Sequence, residues 1–182
     1  VGFQPEMVWV GSAWAQTVFR HGSDAGDTSH YARSLNPDAA DLIQAFQADG
    51  FQVGTVSNVN DNLAVYYYVA MKVSTGVFQQ GTYTGNGADN RSITGVGFQP
   101  VFVFVKNDTT DSNAVLVLAN TAVGETHYFD ATADSTDRIQ ALESDGFQIG
   151  TNAEVNTDTE TYLWMAWNTA IGSAFRPHLM QY

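Results

Sequence analysis

The sequence predicts an all-β protein: a tandem duplicated antiparallel β-sandwich, jelly-roll-like, with a short helix-like segment in each unit. Three observations carry that expectation. Short apolar runs rich in β-branched and aromatic residues recur along the chain, and Gly, Asn and Asp separate them. Little of the chain has the period of a long helix. The two halves also repeat one another block by block.

The repeat begins with "VGFQP", which stands at Val1 and again at Val96. "VGFQPEMVWV" aligns with "VGFQPVFVFV", and "DLIQAFQADGFQVGT" aligns with "DRIQALESDGFQIGT". His30-Tyr31 falls on His127-Tyr128, and "YYYVAMK" falls on "YLWMAWN". The offset stays close to 95 or 96 residues, the pattern of a gene duplication. The expected units are residues 1–75 and residues 76–182, each of small-domain size.

Within each unit the elements follow in order. "EMVWV" and "VFVFV" read as first strands, and "QTVFRHG" and "NAVLVLA" as second strands. "DAADLIQAFQADG" and "DSTDRIQALESDG" read as a helical turn or two. Asp38 or Asp134 would cap it, Leu42, Ile43 and Phe46 would form one face, and Asp-Gly would close it. A strand is the alternative there, because "RIQALESDGFQIG" also alternates apolar and polar. "DGFQVGT" and "DGFQIGT" are strands entered from a Gly turn. "LAVYYYVAMKV" and "TETYLWMAWNT" are apolar on both faces, so both should be central and well covered. "GVFQQGTYTGNG" and "RSITGVGF" read as a hairpin turning at "GNG". The first unit has no such hairpin before Val1, so it is expected to leave an edge for something to cover. The tail "AIGSAFRPHLMQY" stands where "STGVFQQGTYTG" stands after the first unit, and it is one candidate cover.

Composition narrows the function. The formal net charge is −12, and Lys72 and Lys106 are the only lysines. Such a surface repels nucleic acid and anionic membrane. No stretch is apolar enough for a bilayer span, so membrane insertion is not expected. Cysteine is absent, which removes disulfides and thiolate metal sites. The lack of an initiator Met at Val1 reads as a processed product or a piece of something longer.

The run "GTYTGNGADNRSITGVGFQPVFVFVKN", followed by "DGFQIGT" and "TYLWMAWN", resembles a β-domain that recurs in tailed-phage virion proteins. That pattern joins a "SITGLGF-P-DFVWIK" strand pair, a "DGF-x-L/I-G" block and a "YVAWCWK" strand. The likeness covers nearly the whole chain twice. It departs at Glu6 and Val101, where the pattern has Asp, and at "VAMK" and "MAWN", where the pattern has Cys-Trp. The resemblance implies a tail-fibre, tail-associated or capsid-decoration protein of the virion. Its partners would be other virion subunits, in a homo-oligomer or lattice, or a cell-surface glycan. It brings no catalytic residues with it.

Candidate site residues are few. The His30-Tyr31 and His127-Tyr128 pairs recur in both units, which suits a shared loop anchor as well as a binding role. No HxH or HExxH spacing exists for zinc. The loops "NVNDN" and "NTDTE" offer clustered oxygens, and calcium is the metal they suit, with Asp61, Asp158 and Glu160 as ligands. Turn chemistry accounts for the same residues equally well. Neither a nucleophile elbow nor a phosphate loop is present, so an enzyme is not expected. Trp14 lies in "GSAWAQ", has no counterpart in the second unit, and is the best single candidate for a contact residue. The competing function is a secreted carbohydrate-binding module or a bacterial adhesin repeat.

Overall fold

The computed structural model describes residues 1–33 and 36–168. The expectation placed on the tail therefore lies outside the described residues. The fold is all-β, 43% strand and 5% helix, built from antiparallel sheets.

Seven elements appear in the first half. They are β1 (Met7–Ser12), β2 (Val18–His21), β3 (His30–Tyr31), β4 (Ile43–Gln47), β5 (Gly50–Val53), α1 (Ser57–Asn60) and β6 (Tyr66–Met71). Two strands follow, β7 (Phe78–Thr84) and β8 (Arg91–Thr94). The order of the first half then recurs as β9 (Phe102–Asn107), β10 (Val115–Leu118), β11 (His127–Tyr128), β12 (Ile139–Glu143), β13 (Gly146–Ile149), α2 (Ala153–Asn156) and β14 (Thr161–Trp167). Registers correspond as well. Val10 faces Val18 across β1 and β2, and Val105 faces Val115 across β9 and β10.

The strands stack in four layers. The β4–β5 hairpin lies on a sheet of order β3-β2-β1-β6. The other face of that sheet packs on a sheet of order β11-β10-β9-β14-β7. A sheet of order β12-β13-β8 closes the far side. Period-2 side-chain alternation explains why the central strands are apolar throughout. In β14, Tyr162, Trp164 and Ala166 enter the outer core with Phe147 and Ile149. Leu163 and Met165 point the other way and meet Met7 and Phe19 of the first half. Phe104 and Phe19 cross edge-on at 5.3 Å inside that middle layer, a favoured aromatic geometry.

Three expectations need correction. The segments beginning at Asp38 and Asp134 are not helical. Their apolar residues form β4 and β12, which return as β5 and β13 through Asp-Gly turns. Single helical turns do occur in each half, but later, at α1 and α2. Asp41 and Asp137 explain part of this, since each sits at positive φ and accepts from the next loop, at Thr55 N and Thr151 N. A Cβ at Gly54 would lie 2.2 Å from the Asp41 backbone oxygen, so only glycine fits at that approach.

The second correction concerns β7 and β8. They do not pair with each other. β7 adds to β14, whereas β8 adds to β13 in a different layer. The "GNG" stretch is thus a corner between sheets. Buried Asn156 holds it: its Oδ1 accepts from Asn86 N at 3.0 Å and its Nδ2 donates to Ala88 O at 2.7 Å.

The third correction concerns β6. The corresponding strand β14 is buried over nearly its whole length, while β6 is half-exposed to exposed along its own. The reason is topological. β14 lies between β9 and β7, whereas among the described residues β6 pairs only with β1.

Candidate interaction surface

The buried polar groups come first, because they separate structural chemistry from surface chemistry. His30 on β3 is fully buried and stacks on Phe19 at 5.0 Å between ring centroids. Its Nδ1 meets Asp38 at 2.7 Å and its Nε2 meets Asp24 at 2.9 Å. Burial alone would lower its pKa, but hydrogen bonds to Asp24 and Asp38 prevail and raise it to about 9. His30 is therefore an imidazolium clamped between carboxylates. Asp108 of the second half stands 3.8 Å away, and burial raises its own pKa. Nearby, burial drives the His21 pKa down to about 4, against the pull of Asp24. His21 Nε2 lies 3.3 Å from the Trp164 carbonyl, so a neutral imidazole bridges the two halves.

His127 answers to His30 in the second half. Its Nδ1 pairs with Asp134 at 2.8 Å, just as His30 pairs with Asp38. Tyr128 donates to Glu154 at 2.7 Å, while Tyr31 packs at the margin of the first core. His30 and His127 thus each tie the loop that follows their strand back to the sheet, which is the geometry of an anchor.

Asp24, His30 and Asp108 each offer a ligand atom within 4.8 Å of the others. An imidazolium already bonded at both nitrogens has no lone pair for a cation, so hydrogen bonding accounts for the group. Among the described residues, the calcium candidates Asp61, Asp158 and Glu160 are not part of any such group. Asp61 accepts from Asn62 N at 2.8 Å. Glu160 accepts from Thr110 Oγ1 and from Asn107 Nδ2, both at 2.6 Å, and the Thr110 hydrogen bond leads in holding its pKa below the usual range.

Several exposed apolar side chains gather at one end of the first half. Ser12 pairs with Tyr66, so the loop after β1 and the loop before β6 leave the sheet side by side. Trp14 stands in one of them and is 91% exposed; Leu63 in the other is 96% exposed. Val65 and Tyr67 extend the apolar surface along β6. The corresponding end of the second half is polar and cross-linked. Asn107 Oδ1 accepts from Thr109 N and Thr110 N, and Thr109 Oγ1 accepts from Thr161 N. Sequence reading singled out Trp14 but missed Leu63 and Val65. Their flank of Asn and Asp residues looked like a turn, and the adjacency of the two loops exists only once β1 pairs with β6.

Beside that end lies an apolar groove of about 590 Å³ between the two middle sheets. Trp9, Tyr67, Val69 and Met71 line it from one sheet, Phe102 and Trp167 from the other. Among the described residues, the β6 strand that lines it pairs only with β1.

A family model described as a domain of unknown function (DUF7483) matches residues 73–176. No curated protein and no solved structure matches the chain.

Proposed function

The chain belongs to the DUF7483 family, a domain of unknown function, and from that premise we propose that it is a non-enzymatic structural protein of a tailed-phage virion. Its place is a tail-fibre or tail-associated position, or a capsid decoration. It acts in assembly or in surface attachment. The observation that carries this reading is the apolar end formed by Trp14, Leu63, Val65 and Tyr67. Several large apolar side chains displayed together mark an interaction site. Trp and Tyr are also the residues that most often anchor interfaces. The order of the repeated blocks supports the virion setting. The charge of −12 supports a partner other than nucleic acid.

Purified particles of the phage whose genome carries the sequence provide the test. Mass spectrometry should find the chain in the particle, and Trp14→Ala with Leu63→Ser should release it while the melting temperature holds. Absence of the wild-type chain from the particle overturns the reading. An exposed Trp ring is also what a sugar-binding module presents, which favours carbohydrate binding as the second reading. A glycan array separates the two: a specific glycan retained by the wild type and lost in Trp14→Ala would establish the second.

A further inference from the structure

The β4–β5 and β12–β13 hairpins are built alike but covered differently. β13 pairs with β12 on one side and with β8 on the other, whereas among the described residues β5 pairs only with β4. Gly146, Phe147, Gln148 and Ile149 stand opposite Thr94, Ile93, Ser92 and Arg91. Ile93 enters the outer core, where Phe147 and Ile149 are fully buried. Their counterparts Phe51 and Val53 are only half-buried. The ring that each Phe meets differs in the same way. Trp164, against Phe147, is 6% exposed, and Tyr68, against Phe51, is 53% exposed.

The first half nevertheless keeps the fittings that receive β8 in the second. A Cβ at Gly146 would come within 1.9 Å of the Ile93 carbonyl oxygen, so β8 approaches where only glycine fits. Gly50 holds the matching place, but a Cβ there would meet only Val1 Cγ2, at an ordinary 3.7 Å. Nor does Gly50 have a left-handed φ that would favour glycine. Among the described residues, the gap it leaves is unused. Asn156 and Asn60 differ in the same direction. Asn156 donates to Gly150 O at 2.9 Å, is fully buried, and holds the segment leading into β8 through Asn86 N and Ala88 O. Asn60 makes the matching bond to Gly54 O at 2.9 Å but is exposed. Both hairpin turns also meet the chain alike. Val1 N donates to Asp49 O at 3.2 Å, and Val96 N, two residues beyond β8, donates to Asp145 O at 3.3 Å.

We propose that the outer edge of β5 is a docking site for an extended segment of another polypeptide, which adds to β5 as β8 adds to β13. The chemistry of β8 defines the occupant. A β-branched apolar residue lies opposite Phe51, in the place of Ile93, and completes the apolar layer around Phe51 and Val53. A small polar residue lies opposite Gln52 and faces water, as exposed Ser92 does. A basic residue lies opposite Val53 and reaches Asn60 Oδ1, as Arg91 Nη1 reaches Asn156 Oδ1 at 3.3 Å. A basic segment also complements a chain of net charge −12. The described strands cannot supply it, since β7 is paired with β14 and β8 with β13. Backbone ladder bonds would give the affinity, and the buried apolar position would fix the register. This inference does not depend on the virion reading.

A peptide with the sequence of residues 86–95, NGADNRSITG, tests this on the full chain by hydrogen exchange. Excess peptide should slow exchange of β5 amides on the order of tenfold and leave β13, whose edge β8 fills, unchanged. The same peptide carrying Ile93→Asp should have no effect. Gly50→Ala in the protein should abolish the slowing while the melting temperature of the chain alone holds, because the new Cβ obstructs only the incoming carbonyl. No slowing by the peptide overturns the proposal, and so does equal slowing in Gly50→Ala. Slow β5 exchange in the chain without peptide overturns it as well. If that slowing is independent of protein concentration, the edge belongs to a segment of this chain; if it grows with concentration, the occupant is a second copy.

Discussion

Tyr67 and Leu163 hold matching places on β6 and β14, yet Tyr67 is 70% exposed and Leu163 only 1%. Intrinsic strand character does not separate the two segments, since both are apolar and aromatic throughout. Position in the sheet does. β14 has a neighbour on each side and a packed layer on each face, whereas β6 has one described neighbour. The two loop ends differ in the same direction. One closes on itself through Asn107, Thr109, Thr110 and Glu160, and the other presents Trp14 and Leu63. At this strand and this loop end, the second half is packed and the first half is exposed.

The widest gap between the halves is expected at the two histidines. His30→Ala strips the cation from carboxylates around a buried site, and breaking a buried pair costs about 3–5 kcal/mol. His127→Ala removes a partly exposed pair and should cost less than about 1 kcal/mol. Urea denaturation of both variants checks this. Equal losses would mean that burial does not distinguish the two anchors.

The pH profile of stability sharpens the same contrast. The raised value of His30, about 9, means that its contribution is complete below pH 6.5 and is lost as pH rises through 9. His21 works in reverse. Its lowered value, about 4, means that its contribution is complete above pH 6.5 and is lost as pH falls through 4. Denaturation midpoints across pH 4–9 should peak near 6.5. The alkaline decline should vanish in His30→Ala, and the acid decline should shrink in His21→Phe.

The middle layer offers the next comparison. Met165→Ala opens a cavity in a fully buried site and should cost about 2–5 kcal/mol. Its counterpart Val69→Ala truncates a side chain that is 41% exposed and should cost less than about 1 kcal/mol. Equal costs at the two sites would mean that burial does not distinguish β6 from β14.

The smallest effect belongs to the contact end. Trp14→Ala should change stability by less than about 0.5 kcal/mol, since so exposed a side chain has little packing to lose. A larger loss would show that Trp14 belongs to the core and not to the surface.

Much of this architecture was legible in the residues alone. The all-β class followed from short apolar runs punctuated by Gly, Asn and Asp, because strand propensity and turn chemistry act locally. Corresponding blocks in the two halves do form corresponding elements, from β1 and β9 to β6 and β14. The exposure of Trp14 was also readable, from a loop position without a partner in the other half. Other features were not legible, and each for a physical reason. β4 and β12 carry patterns that suit a helix or a strand, and pairing with β5 and β13 decides between them. β7 and β8 look like a hairpin because "GNG" is a good turn, but Asn156, about 70 residues away, bends that turn into a corner between layers. The His30 clamp gathers Asp24, Asp38 and Asp108, and no local spacing announces a cluster drawn from both halves. Sequence by itself determined which segments become strands, since that depends on neighbours along the chain. Which strand is buried between two neighbours and which has a single described neighbour was decided only by the tertiary structure, since that depends on neighbours across the sheet.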